Sequence, residues 1–386
     1  MSIMSYVLAG LLLVTAVILP QARLRELTDE PLDNKIALLR QVHVVFRHGE
    51  RMPTSLYPTD LNKPSDFKDG LGRITLKGKR DMYAIGQRLR QRYRGFLTND
   101  TNEMKARSSG RDRCIESMQT FLAALYQPGH EARFESDLNW QPVPVATMPV
   151  DIDGMLYEDA ICRKDDEVFD ELRTTGAGKE VMSKYKTLME RLQKMSGKKM
   201  TDWVSVRDLL DTLSIERSLG LNIPAWADED TWRQMEECAQ HTNVLNYANG
   251  ARIRFRAGLL LKDMTMHFYD VVNKSPKHKI YAYSSHDVLV AAYLSAFGGS
   301  NDVAVPSSST VLTELYEEPG GDFRIEMFFC NDTASGIFKP LHIPGCTLNG
   351  HCTLAEWLAK AAPFTPSDWR EECGESALPV RLYDSH

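Results

Sequence analysis

"VVFRHGERMP", residues 44–53, is the stretch on which the reading of this chain turns. Val44-Val45-Phe46 is a short apolar run of the kind that forms a buried strand. It passes directly into Arg47, His48, Gly49, Glu50, Arg51 and Pro53. Successive side chains of a strand point to opposite faces, so Arg47 and His48 reach one ligand only if the backbone leaves the strand there. Gly49 permits such a turn. The stretch therefore reads as a charged cluster at the carboxyl end of a core strand, where open α/β sheets bind ligands.

The same pattern recurs downstream. A short strand near 103–107 ends at Arg107, and "HKIYAYSSHD" (278–287) ends a β-rich run on His286-Asp287. Helical patterns lie between: Met82, Ile85, Leu89, Tyr93 and Phe96 form one apolar stripe over 75–96. Cys114, Met118, Phe121, Leu122 and Leu125 share the inner face of a helix over 111–126, which makes Cys114 the candidate unpaired, buried thiol. Further helices read at 249–273 and 288–297, and strands at 310–316 and 323–330 form a hairpin around "EEPGGD". Residues 53–74 read as a long loop. Between 140 and 240 strand signals fade and charge rises. This organisation predicts an α/β core over 33–139 and 241–375, interrupted by a mostly helical cap over 140–240.

Composition narrows the class. The chain has 386 residues, 43% hydrophobic and 25% charged, with a net charge of −6. That is globular, and it offers no overall basic footprint for nucleic acid. Arg88, Arg90, Arg92 and Arg94 read as a solvated helix face. Residues 6–19 are nearly all apolar and too short to span a bilayer comfortably, so residues 1–22 read as a secretory signal peptide. No later segment reads as a membrane anchor, which places the mature chain in the secreted or lysosomal route. Seven cysteines fit an oxidising compartment, and the odd count leaves at least one thiol outside intrachain bridges. Cys346 and Cys352 flank a short Gly-containing turn. His342 and His351 lie nearby and admit a zinc reading, but the compartment favours a disulfide. Asn99, Asn273 and Asn331 each open a glycosylation sequon.

Three strand ends thus offer Arg47, His48, Arg51, Arg107, His286 and Asp287. Several guanidiniums in one pocket repel unless an anion lies between them, and arginine grips phosphate with paired donors. Their field disfavours the protonated imidazole, leaving a neutral His48 able to attack phosphorus. Asp287 is placed to supply a proton to the leaving oxygen. The chemistry needs no metal and no cofactor.

At these residues the chain resembles the histidine acid phosphatases, the second branch of the histidine phosphatase superfamily. "RHGERMP" is similar to the family's R-H-G-x-R-x-P signature, "ARSSGRDRCIESM" (106–118) to its R-S-x-x-x-D-R segment, and "SSHD" (284–287) to its H-D pair. "IPAWADEDTW" (223–232), "PGCTLNGHC" and "SDWREEC" resemble segments of the animal prostatic and lysosomal members and the insect venom-type secreted ones. The resemblance implies a phosphoglycerate mutase-like, mixed-sheet α/β sandwich with a helical cap, often dimeric. It implies His48 as nucleophile, Asp287 as proton donor, and Arg47, Arg51, Arg107 and His286 as phosphate ligands. It also implies a Cys162–Cys373 bridge. A third bridge usual in the animal members has no counterparts here, and Cys238 with Cys330 is left as a replacement pairing.

The resulting expectation is a secreted or lysosomal acid phosphatase acting on small phosphate monoesters through a phosphohistidine. Two alternatives stand beside it: a phytase or inositol-polyphosphate phosphatase of the same superfamily, and a catalytically inactive secreted binding protein.

Overall fold

Eight strands of the described residues join in one sheet: β1 (Leu39–Arg47), β2 (Met104–Ser109), β3 (Val145–Met148), β4 (Ile280–Ser285), β5 (Thr310–Glu317), β6 (Phe323–Cys330), β7 (Lys339–Pro340) and β8 (Cys352–Thr353). The helices are α1 (Leu32–Leu38), α2 (Leu76–Arg92), α3 (Asp112–Leu125), α4 (Arg163–Thr174), α5 (Gly176–Lys184), α6 (Lys186–Ser196), α7 (Trp203–Ser218), α8 (Glu229–Thr242), α9 (Gly250–Val272), α10 (Asp287–Ala296), α11 (Leu354–Ala361) and α12 (Trp369–Cys373). This computed structural model describes residues 32–375 apart from 158–159, 248, 300–304 and 349–350. The leader read at 1–22 lies outside the described residues.

The sheet order is β3-β2-β4-β1-β5-β6-β7, with β8 added to β6. β3, β2, β4 and β1 run parallel, and β5, β6 and β7 continue antiparallel. Alternation along β1 sorts the layers. Val42, Val44 and Phe46 pack with Met82, Ile85 and Leu89 of α2 and Met118, Phe121 and Leu122 of α3. Val45 packs on the other face with Leu260, Leu261 and Met264 of α9 and Val290 of α10. Both faces are covered by helices, which is why the strand reads as a continuous apolar run. The fold is an α/β sandwich on a mixed sheet. Arg92 is not a solvated charge: it grips the buried Glu314 of β5 with Nε at 2.7 Å and Nη2 at 3.2 Å.

Helices α5 to α8 build a hydrophobic cluster of their own, including Leu188, Leu192, Trp203, Val206, Leu213, Trp232 and Met235. Tyr57 of the 53–74 loop is packed into it. Helix α4 is tied to α9 through Asp165, which accepts from both Arg252 and Arg256 at 2.8 Å. A disulfide joins Cys162, just before α4, to Cys373 at the end of α12, 211 residues away. A second closes Cys346 to Cys352. Cys114, Cys238 and Cys330 are buried thiols outside these two disulfides. The replacement Cys238–Cys330 bridge is therefore absent. Cys238 sits in the α5–α8 cluster and Cys330 in the layer of α2 and α3, two separate cores. Asn99 and Asn273 are exposed, and Asn331 is half-buried.

One junction is unusual. Glu216 of α7 is fully buried, and neither of its carboxyl oxygens makes a well-formed hydrogen bond among the described residues. Asp60 Oδ2 and the Tyr57 hydroxyl, from the 53–74 loop, are likewise buried without partners. Burial pushes the Glu216 carboxyl up to about 8; the Asn62 amide opposes this and Asp60 adds to it. The Asp60 carboxyl lies close enough to Glu216 to add to the cost of its ionisation. The loop and α7 are thus joined through an acid pair.

Candidate active site

The carboxyl ends of β1, β2 and β4 lie side by side, and the chain leaves the sheet there. The His48 amide donates to Ser285 O at 2.9 Å, continuing the β1–β4 ladder one residue past the strand. Ser308 N donates to His48 O at 3.0 Å from the other side. Gly49 is required for closeness, not for an unusual backbone angle. A Cβ there would fall 2.7 Å from Gly78 O and 2.8 Å from Ile74 Cδ1. A Cβ on Gly78 would meet Glu50 O at 2.3 Å, so the two glycines let the motif lie directly on the first turn of α2. Thr75 caps that turn by accepting from Gly78 N at 3.0 Å.

These contacts fix the histidines. His48 is buried, and its Nδ1 lies 2.8 Å from Gly49 O. A carbonyl only accepts, so Nδ1 carries the proton and Nε2 keeps its lone pair. Ser117 of α3 holds the same peptide, its Oγ accepting from Gly49 N at 2.9 Å and donating to Arg113 O at 2.6 Å. His286 stands at a ring separation of 5.5 Å, edge to face with His48. Arg113 donates to His286 Nδ1 at 3.2 Å, so the proton of His286 is on Nε2, facing Ser109 Oγ at 3.1 Å. Burial lowers both imidazoles well below their ordinary range; Arg47, His286, Arg113 and Arg51 add to it for His48, and chiefly Arg113 for His286, against the raising effect of Asp287. Both rings are neutral.

Arg47 reaches Val305 O at 2.7 Å with Nη1, and its Nη2 lies 3.8 Å from Asp287 Oδ2. Arg51 donates to Asp211 of α7 at 3.0 Å. The Nε atoms of Arg47 and Arg51 are buried and have no acceptor among the described residues. Two buried cationic donors without acceptors, beside a neutral imidazole, describe a place for an oxyanion. Asp287 is the first residue of α10. Burial alone would raise its carboxyl, but Arg47, Arg207, His286 and Arg51 overrule this and hold it far below the usual carboxylate range. His48, His286, Asp287 and the four arginines Arg47, Arg51, Arg113 and Arg207 line one cleft of about 910 Å³, roofed by residues of α7.

Residues 38–335 match the Histidine phosphatase superfamily (branch 2). The chain belongs to that family. A lysosomal acid phosphatase of Homo sapiens is 30% identical over 376 residues, covering 96% of this chain and 85% of that one. A prostatic acid phosphatase of Bos taurus is 32% identical over 342 residues, 87% of each chain. Among solved structures, the phytase from Citrobacter braakii aligns with a TM-score of 0.62 at 16% identity, covering 87% of this chain and 99% of that one. At that identity the likeness is one of fold.

In this histidine phosphatase the cleft gathers Arg47, His48, Arg51, His286 and Asp287. Arg107 is not among the residues lining it. Pleat parity explains the correction. Ala106 faces the layer of α2 and α3, so Arg107 points to the opposite face, where Nη2 bonds the buried Asp153 at 2.6 Å. Its place is taken by Arg113, in the first turn of α3, with Arg111 beside it against the Tyr157 ring. Both stand in "SSGRDRC", the run after a strand end, and that position was the available signal. Arg207 of α7, 3.8 Å from Asp287 Oδ2, had none. Among the described residues no helix is long and apolar enough to cross a membrane.

Proposed function

We propose that this protein is an acid phosphatase that hydrolyses small phosphate monoesters through a phosphohistidine on His48. The observation that carries the reading is the neutral His48 ring, its Nδ1–H turned to Gly49 O and its Nε2 lone pair left for the guanidinium-lined cleft. Arg47, Arg51 and Arg113 hold the phosphoryl oxygens, whose charge spreads as the P–O bond loosens. Nε2 attacks phosphorus, the ester P–O bond breaks, and the leaving oxygen takes a proton. Water then attacks the phosphohistidine, returning His48 and releasing phosphate, with the Asp287 carboxylate accepting the water's proton.

The acid preference follows from the first proton. Asp287 is ionised in the free protein, so the leaving oxygen draws on a proton brought by the substrate monoanion and passed through Asp287. A phosphate monoester loses that proton near pH 6. His48, lowered by burial and arginines, stays neutral well into acid. Turnover is therefore greatest on the acid side. The secretory signal, the sequons at Asn99, Asn273 and Asn331, and the two disulfides support a glycosylated protein of the secreted or lysosomal route. The helices around 140–240 act as a cap over the site. No step calls on a metal.

The test is His48→Ala. It abolishes turnover by several orders of magnitude, and acid-quenching conditions avoided, alkaline quench of the intact enzyme traps a base-stable phosphohistidine. Near-normal turnover by the variant overturns the reading.

A further inference from the structure

The cationic surface of the cleft extends past the groups that a single phosphate needs. Nine arginine and lysine side chains line it against five aspartates, in a chain whose net charge is −6. Most are committed. Arg252 and Arg256 grip Asp165, Arg51 bonds Asp211, Arg73 bonds Asp112 and Glu116, and Arg47 and Arg113 flank the two histidines. Two further cations come from the α7 side. There Lys198, before α7, and Arg207 share one aspartate: Asp208 lies 4.0 Å from Lys198 Nζ and 3.2 Å from Arg207 Nη2. Both side chains are about 30% exposed, at 29% and 31%. Arg207 Nη1 also lies 3.8 Å from Asp287 Oδ2, on the carboxylate that serves the leaving oxygen. The acidic helix α8, with its "DEDTWRQMEE" run, contributes nothing to the lining.

We propose that Arg207 and Lys198 form a second anion subsite on the leaving-group side, so that the preferred substrates are phosphate monoesters whose alcohol carries a further anionic group, a carboxylate or a second phosphate, a few bonds from the ester. The inference rests on the phosphatase reading and names its substrate class. Position supports it: Arg207 stands next to Asp287, where the departing alcohol leaves, and Lys198 joins it through Asp208. The contact also couples binding to chemistry. An anion that engages Arg207 takes up charge now directed at Asp287. The carboxylate then accepts a proton more readily and passes it to the leaving oxygen. A substrate with a neutral alcohol leaves Arg207 on Asp287 and forgoes that help.

The experiment compares three substrates of similar length: 3-hydroxypropyl phosphate, 3-phosphooxypropanoate and propane-1,3-diyl bisphosphate. For a half-exposed charge-assisted contact, kcat/KM for the anionic pair exceeds that for the neutral one by about tenfold. The double variant Arg207→Gln with Lys198→Gln brings the ratio to about one, and Arg207→Lys retains most of it. The ratio is internal to each variant, so a loss of folded protein does not imitate the effect. With the anionic substrates the alkaline limb of the kcat profile also lies at higher pH than with the neutral one, and Arg207→Gln removes that displacement. Preference for the carboxylate or for the bisphosphate alone still supports the subsite and identifies its anion. Equal kcat/KM for all three in the wild type overturns the inference while the phosphatase reading stands. Failure to turn over any of the three, with no phosphohistidine trapped, overturns both.

Discussion

Replacing Glu216 by glutamine tests whether a protonated carboxyl joins the 53–74 loop to α7. In the unfolded chain Glu216 gives up its proton near its ordinary value of 4.5; in the fold it holds it to about 8. Between these values the unfolded state binds fewer protons than the native state, so stability falls as pH rises from about 4.5 and levels off above about 8. At about 1.4 kcal/mol per pH unit the ceiling of the effect is ~5 kcal/mol. Relaxation around the buried carboxyl takes up part of this, and about half, ~2.5 kcal/mol, is the working figure. The unfolding entropy, at about 2.1 cal/mol/K per residue, is ~0.8 kcal/mol/K for this chain, so the effect is worth ~3 °C in Tm. Glutamine at 216 keeps a donor toward Asp60 Oδ2 and cannot ionise. Scanning calorimetry of both proteins from pH 5 to pH 8 is the assay. Wild type and Glu216→Gln melt alike at pH 5, and the wild type falls behind by ~3 °C at pH 8. Parallel Tm curves across that range refute the raised Glu216 carboxyl.

Asp287→Asn slows alkyl phosphates, whose leaving oxygen needs its proton, by about 100-fold more than p-nitrophenyl phosphate, a ratio within the usual reach of general acid catalysis and read from kcat for the two substrates. Arg113→Gln lowers kcat/KM by at least 100-fold with little change in Tm, whereas Arg107→Gln, which strands the buried Asp153, costs about 3 kcal/mol of stability and leaves kcat of the folded enzyme near normal; the reverse pattern returns Arg107 to the phosphate site. Gly49→Ala drives a methyl to 2.7 Å from the Gly78 carbonyl, so denaturant unfolding loses about 1–3 kcal/mol and kcat falls as His48 is displaced.

Contact between neighbours in sequence made much of the site legible. Arg47, His48 and Arg51 are consecutive or nearly so, and His286-Asp287 follows a buried strand, so a period of two and a break in it announce them. The same holds for the stripe of Met82, Ile85 and Leu89 and for Cys114 on the inner face of α3: burial repeats with the period of the element, and one chain displays it. What the fold alone settled involves parity, closeness and distance along the chain. Arg107 and Arg113 both look available in "ARSSGRDRC", and only the pleat of β2, with Asp153 waiting on its far face, withdraws one and leaves the other. Gly49 looks like a turn residue until α2 is laid against it, because a missing Cβ answers to whatever packs there. Arg207 and Asp287 join segments about 80 residues apart, and Glu216 and Asp60 segments about 150 apart. No local period encodes such meetings; they exist because the hydrophobic cluster of α5 to α8 carries α7 back over the carboxyl ends of the strands.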